Sequence, residues 1–296
     1  MISNENLRSL SRESDATHCL TLTSPEGATA QIHPYGAQVT SWKPAGGAER
    51  LFLSAASEFR PGAAIRGGVP VIFPQFGGSG LLPKHGFARL CHWDPAPFKT
   101  GPDFATAKFT LGDREATRQL WPHAFRAELR VTVGGARLEL MFSVMNTGNE
   151  PFNFTAALHT YLQVADLLTT TVEGLAGARY HDTAVRPWSE GVQAEPHVRF
   201  PAEVDRIYYA APGPLRVRTP EHVTQVKSDD FPDVVLWNPG PVKSANLPDM
   251  EAGGYRRFVC VEAAVVEQPP RLKPGDSWQG TQTLIAEGIN AEHQGI

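Results

Sequence analysis

Cysteine is scarce, and what there is does not pair by pattern: Cys19, Cys91 and Cys260 lie far apart with no CxxC spacing. That excludes a disulfide framework and a structural zinc site of the usual spacing, and fits a reducing compartment. No stretch approaches the apolar length needed to span a bilayer, and the N-terminal MISNENLRSLSRESDATHCL has no apolar run to serve as a signal-peptide core. The expectation is a soluble cytoplasmic protein. Excess positive charge is missing too: 27 Lys and Arg stand against 31 Asp and Glu, for a formal net charge of −4, so neither a nucleic-acid surface nor a polybasic membrane patch is expected. A P-loop and a dinucleotide fingerprint are absent, because the Gly-Gly pairs sit in strand-rich surroundings. So are HxH and HExxH. A metal site would have to be assembled from the distant His85, His159, Asp205 and Glu262, and none is expected. With no internal repeat, low-complexity tract or interdomain linker, the 296 residues read as one domain over 17–288, with polar ends at 1–16 and 289–296.

Turn formers are abundant. The chain has 27 glycines and 25 prolines, and motifs such as PYG, PAGG, NPGP and KPGD interrupt it every dozen residues or so, leaving little room for long helices. Between turns the apolar residues alternate. Leu129, Val131 and Val133 are followed by Gly134-Gly135 and then by Leu138, Leu140, Phe142 and Val144, the pattern of a hairpin with a two-residue Gly-Gly loop or a near variant. One short helix is expected in DREATRQL, with Asp113 as its cap, before Trp121-Pro122. Many short strands with frequent turns predict an all-β antiparallel sandwich or barrel with few short helices.

The same period assigns faces. In FNFTAALHTYLQV, His159 shares a face with Asn153, Thr155, Ala157, Tyr161 and Gln163, and Phe152, Phe154, Ala156, Leu158 and Leu162 take the other. His159 therefore projects from a polar face backed by a core. In FVCVEAAVV, Glu262 shares a face with Phe258, Cys260 and Ala264, opposite Val259, Val261, Ala263 and Val265. A lone carboxylate in an apolar strand is either paired with an arginine, solvated at the sheet face, or functional. For His159 a satisfied strand histidine is the plain reading and a proton carrier the alternative.

In PKHGFARLCHW, residues 83–93, Lys84, His85 and Arg89 crowd around Gly86, a local cationic device in a slightly acidic chain. Upstream, Arg66 precedes Gly67-Gly68, whose freedom of φ allows the side chain to point into a cavity. Asp205 precedes an aromatic strand, where a cap or turn role is the plain alternative to a ligand. Phe76, Phe87 and Trp237 are available as aromatic walls or as core.

Taken in order, IRGGVPVIFPQFG, LPKHGFAR, LHTYLQV, VDRIYYA, LWNP and FVCVEAA resemble the aldose 1-epimerase, or mutarotase, superfamily, and its hexose-6-phosphate branch most closely. The resemblance runs from QIHPYGAQVTSW to the final TLIA. It implies a large antiparallel β-sandwich, the galactose mutarotase-like supersandwich, with a concave sugar-binding face. It also implies catalytic roles for His159 and Glu262, substrate binding by Arg66, His85, Arg89 and Asp205, and positions for Gln75 and Lys84 around the pocket. The partner it implies is a small sugar phosphate, with no cofactor and no metal, in a monomer or weak homodimer.

The chemistry implied is general acid–base ring opening. Ionised Glu262 takes the C1 hydroxyl proton, and protonated His159, supported by Asp205 or Glu262, donates to the ring oxygen from the opposite side. Arg66 and Arg89 offer forked donors to a 6-phosphate, with Lys84 as a point charge; alternatively Arg89 pairs with an acid and Arg66 only positions its neighbours. Competing readings are an epimerase of unphosphorylated sugars, a glycosidase using Asp205 and Glu262, and a noncatalytic carbohydrate-binding module.

Overall fold

Alternating strands bury their apolar side only by facing another sheet, and two large antiparallel sheets do this here. The computed structural model describes residue 10 and residues 18–78, 80–211 and 213–288. The expected polar ends, 1–16 and 289–296, lie outside the described residues except for the buried Leu10. One sheet has ten strands in the order His197–Val198, Thr171–Glu173, Leu215–Arg218, Val223–Asp229, Ser277–Glu287, Arg137–Asn146, Phe125–Gly134, Ala105–Gly112 and Asp94–Pro95, with Lys99–Thr100 also on Ala105–Gly112. The other has eight, ordered Ser189–Val192, Arg179–Asp182, Val204–Tyr208, Asp233–Asn238, Phe258–Val265, Ala156–Leu158 and Val71–Ile72, with Tyr161–Gln163 also on Phe258–Val265. Among the described residues, no helix is long and apolar enough to cross a membrane.

The expected hairpin forms as Phe125–Gly134 against Arg137–Asn146. Gly134 pairs with Arg137, so the two-residue loop is Gly135-Ala136, the near variant rather than Gly-Gly itself. Its inward residues Leu129, Val131, Val133, Leu138, Leu140, Phe142 and Val144 are fully buried. They pack in one cluster with Leu158, Leu236, Val259, Val261 and Ala263 from the eight-stranded sheet. Each such side chain contributes about 1.5–3 kcal/mol by leaving water. The short helix exists at Glu115–Leu120, but Asp113 is not its cap. The backbone N–H of Arg114 donates to Thr117 Oγ1 instead, while Asp113 accepts from Arg118 and from the backbone of Phe125.

The eight-stranded sheet has a second face, turned away from this core, and that face is also covered. All eight residues of Phe258–Val265 are buried. Two apolar clusters lie on the second face: Phe52, Tyr161, Trp237, Met250, Phe258 and Cys260 form one, and Ile72, Ala157, Val235 and Ala264 form the other. The polar face expected around His159 is thus a largely buried one with polar residues between two apolar flanks.

The loop carrying His85 is pinned against this face by backbone geometry. His85 and Gly86 have φ of 70° and 68°. His85 N–H donates to Gly77 O at 2.8 Å, and Gly86 N–H to Pro83 O at 2.8 Å. A Cβ on Gly86 would stand 2.2 Å from Phe73 O. Replacing Gly86 by Ala meets both that contact and the left-handed backbone, which alone costs an L-residue roughly 1–2 kcal/mol. Gly86→Ala is expected to lower unfolding free energy by at least ~2 kcal/mol in urea titration; an unchanged midpoint would contradict this account of the loop.

Candidate active site

His159 and Glu262 belong to neighbouring antiparallel strands, and the register between them is continuous. Leu158 pairs with Ala263 on one side and Tyr161 with Cys260 on the other, which leaves His159 directly opposite Glu262. The strand is interrupted there, between Leu158 and Tyr161: Thr160 N–H turns back onto Leu158 O at 3.0 Å, while His159 N–H donates to Pro70 O and Val261 N–H to Thr160 O. Buried Gln282 of the opposite sheet stitches the interruption, accepting from Thr160 Oγ1 and donating to Val261 O at 3.1 Å. Directly opposed residues place their side chains in contact. His159 Nε2 lies 3.3 Å from Glu262 Oε1, with side-chain exposures of 8% and 2%.

The imidazole is held on two more sides. Tyr161 stacks on it with ring centres 4.8 Å apart and planes 9° from parallel, and Trp237 meets it edge-on at 5.7 Å. Trp237 therefore joins the site, and Phe76, 5.3 Å from the His85 ring, forms part of its wall. Phe87 does not: it is fully buried in the main core.

Across the sheet the residues fall into two rows. His159 and Glu262 continue through Val235 to Ile207; Tyr161 and Cys260 continue through Trp237 to Asp205. The sheet thus brings Asp205 to the same face as the pair. Loops supply the rest. His85 stands 5.7 Å from His159, ring to ring, and its Nδ1 accepts a 3.3 Å bond from Gly77 N–H. In the neutral ring that leaves the proton on Nε2, making His85 a donor there. Arg66 is committed differently from expectation: Nε and Nη2 fork onto Asp249 at 3.1 Å each, and Nη1 donates to Tyr161 Oη at 3.1 Å. Arg89 donates through Nη2 to Lys84 O at 2.9 Å, and its buried Nε has no protein partner. Gln75 bonds its own loop, donating to Gly77 O and Leu82 O and accepting from Leu82 N–H, so its amide shapes the loop.

Electrostatics reverse one expectation. Burial first, then the charges of Arg89 and Arg66, hold the His159 imidazole well below its usual value. Burial, then the Asp205 charge, pushes the Glu262 carboxyl well above its own. Burial and, after it, the neighbouring cations thus work against the expected imidazolium, and burial works against an ionised Glu262. Burial and neighbouring cations also hold His85 well down, and burial with Arg66 alongside brings Arg89 to about 10. His159 Nδ1 and Glu262 Oε2 have no protein partner, which marks a site built for something other than stability.

Sequence reading missed Asp249 and Lys243. Asp249 lies in the turn-like NLPDM and Lys243 in NPGPVKS, where no periodicity distinguishes a functional side chain. Both enter the site only through the tertiary path of the chain.

Known proteins resemble this chain along most of its length. The sequence pattern of the family described as aldose 1-epimerase matches residues 18–284. A protein of Cenchrus ciliaris named "Putative glucose-6-phosphate 1-epimerase" is 40% identical over 269 residues, covering 87% of this chain and 81% of that protein. An Escherichia coli strain K12 protein of the same name is 37% identical over 243 residues, 80% of each chain. The crystal structure of a Salmonella typhimurium protein, described with the same qualifier as a mutarotase, superposes with a TM-score of 0.85 at 32% identity, covering 91% and 90% of the two chains.

The buried carboxyl carries a signed consequence for stability. A raised folded-state value means that stability is lost as pH rises above about 4.5, the ordinary value, because the unfolded chain ionises first. Glu262→Gln removes that loss and keeps a donor for the imidazole. Its thermal midpoint is expected to exceed wild type by at least ~2 °C at pH 8, with the gap closing toward pH 4.5; equal midpoints at pH 8 would show that Glu262 is not held protonated.

Proposed function

The chain belongs to the aldose 1-epimerase family, and on that premise we propose that it interconverts the α and β anomers of a hexose 6-phosphate through one β-sandwich domain over residues 17–288. The observation that carries the reading is the buried His159–Glu262 contact of 3.3 Å. In a pyranose the C1 hydroxyl and the ring oxygen are attached to the same carbon, so two adjacent side chains can serve both; in this reading the adjacent pair takes the place of an acid and a base on opposite sides of the ring.

Glu262 removes the O1 proton, the O1 electrons form the C1=O1 bond, the C1–O5 bond breaks, and O5 takes the proton of His159. Rotation about C1–C2 presents the other carbonyl face, and the steps reverse. Burial opposes the ionic pair, but neutral pair and ionic pair contain the same number of protons and differ only by a transfer across their contact. A bound phosphate dianion favours that transfer by offsetting Arg89, Arg66 and Lys84, the cations that hold the imidazole down. His85 Nε2–H donates to the ring oxygen or a hydroxyl, Asp205 accepts from hydroxyls, and Trp237 and Phe76 cover apolar ring surface.

Arg89 is the principal phosphate donor in this reading, since its Nε has no protein partner. Arg66, forked onto Asp249, contributes its remaining N–H groups, and Lys84 adds charge at the rim. The names of the relatives, which specify glucose 6-phosphate, support the phosphorylated substrate.

His159→Ala is expected to lower the enzyme-catalysed anomerisation of glucose 6-phosphate by about 10²- to 10⁴-fold, read by saturation-transfer NMR or an anomer-specific coupled assay. Near-normal exchange would remove His159 from the chemistry. In the same assay Arg89→Gln should raise KM for glucose 6-phosphate about 10- to 100-fold and leave that for free glucose little changed, the loss of one charged hydrogen bond. If free glucose or galactose is the better substrate of the wild type, the phosphate assignment fails and an epimerase of plain sugars replaces it.

A further inference from the structure

We propose that Lys243 is a positioning residue for Asp205, holding that carboxylate ionised and oriented toward the sugar hydroxyls; this rests on the hexose phosphate reading above. Lys243 is carried by the short helix Gly240–Ser244, which follows directly on the strand Asp233–Asn238. Its Nζ lies 2.6 Å from Glu203 Oε1 and 3.7 Å from Asp205 Oδ2.

The helix is held in place with unusual thoroughness for five residues. Fully buried Asn238 accepts from Gly240 N–H at 2.9 Å and donates to Tyr255 O and Phe258 O at 2.8 and 2.9 Å. Gly240 has φ of 61°, and a Cβ there would stand 2.7 Å from the backbone nitrogen of Glu203. Only glycine lets the helix approach this closely, so Lys243 projects over the strand Val204–Tyr208 that bears Asp205. Glu203 tethers the ammonium within reach of its neighbour.

Asp205 needs such a partner. Burial pushes its carboxyl up and Glu203 adds to this; Lys243, the Thr183 hydroxyl and Lys84 pull it down. Glu262, across the sheet, is itself pushed up by Asp205. The charged groups that face Asp205 are therefore Lys243, Lys84, Glu203 and Glu262. An ionised carboxylate accepts from hydroxyls through both oxygens and more strongly than the protonated acid, and Lys243 is the charge that offsets burial most strongly.

The experiment compares wild type, Lys243→Met, Lys243→Arg and Glu203→Gln in the glucose 6-phosphate anomerisation assay across pH, with calorimetric binding of glucose 6-phosphate as a second measurement and circular dichroism as a folding control. Lys243→Met should raise KM and Kd about tenfold, change kcat less than KM, and move the acid limb of kcat/KM to higher pH. Lys243→Arg should restore both, and Glu203→Gln, which removes a charge that pushes Asp205 up, should move the acid limb to lower pH. Unchanged KM and acid limb in Lys243→Met, with an active wild type, overturn the inference alone. A shift confined to the alkaline limb also overturns it, because Lys243 would then act on Lys84, whose ammonium it lowers. A wild type that does not turn over glucose 6-phosphate overturns the functional reading and this inference together.

Discussion

The site depends on one strand register. With Leu158 set against Ala263 and Tyr161 against Cys260, His159 has no place to be except opposite Glu262. The side-chain period of a strand is two, so a slip of one residue would turn either group into the main core. The core itself guards against the slip: Val259, Val261, Ala263 and Val265 are buried on one side, and Phe258, Cys260 and Ala264 on the other. Gln282 then ties Thr160 and Val261, the pair beside His159 and Glu262, to the opposite sheet.

Placing an acid and a base side by side in a covered face is costly. Neither has a full set of partners, and the charges nearest to the imidazole are cations that oppose its protonation. Such an arrangement trades stability for chemistry, the common pattern of active sites. It also makes the protonation of the pair sensitive to nearby charge, because Arg89, Arg66 and Lys84 add to burial in opposing the imidazolium. The two protonation patterns are separated by one short transfer, not by exchange with solvent.

Loops complete what the sheet begins. The left-handed pair His85-Gly86 and the bond from Gly77 N–H settle both the position and the tautomer of His85. Asp249 settles Arg66, and Lys243 comes from a helix that glycine alone allows to dock. Many of the side chains at the site are thus held by segments outside the two large sheets.

Local periodicity was enough to specify strands, their faces, and which side of its strand each of His159 and Glu262 would occupy, since alternation depends only on near neighbours in the chain. Ordered motifs added the family likeness. Where one residue type serves two roles, sequence reading either left the choice open or missed it: Phe87, open between wall and core, is core, and Asp113, expected as a helix cap, is an arginine partner. The tertiary structure alone decided that His159 and Glu262 meet, that Asp249 takes the fork of Arg66, and that burial and nearby cations work against an imidazolium at His159. Those outcomes rest on pairing between strands about a hundred residues apart and on burial summed over the whole fold, and neither quantity is written in any short stretch of chain.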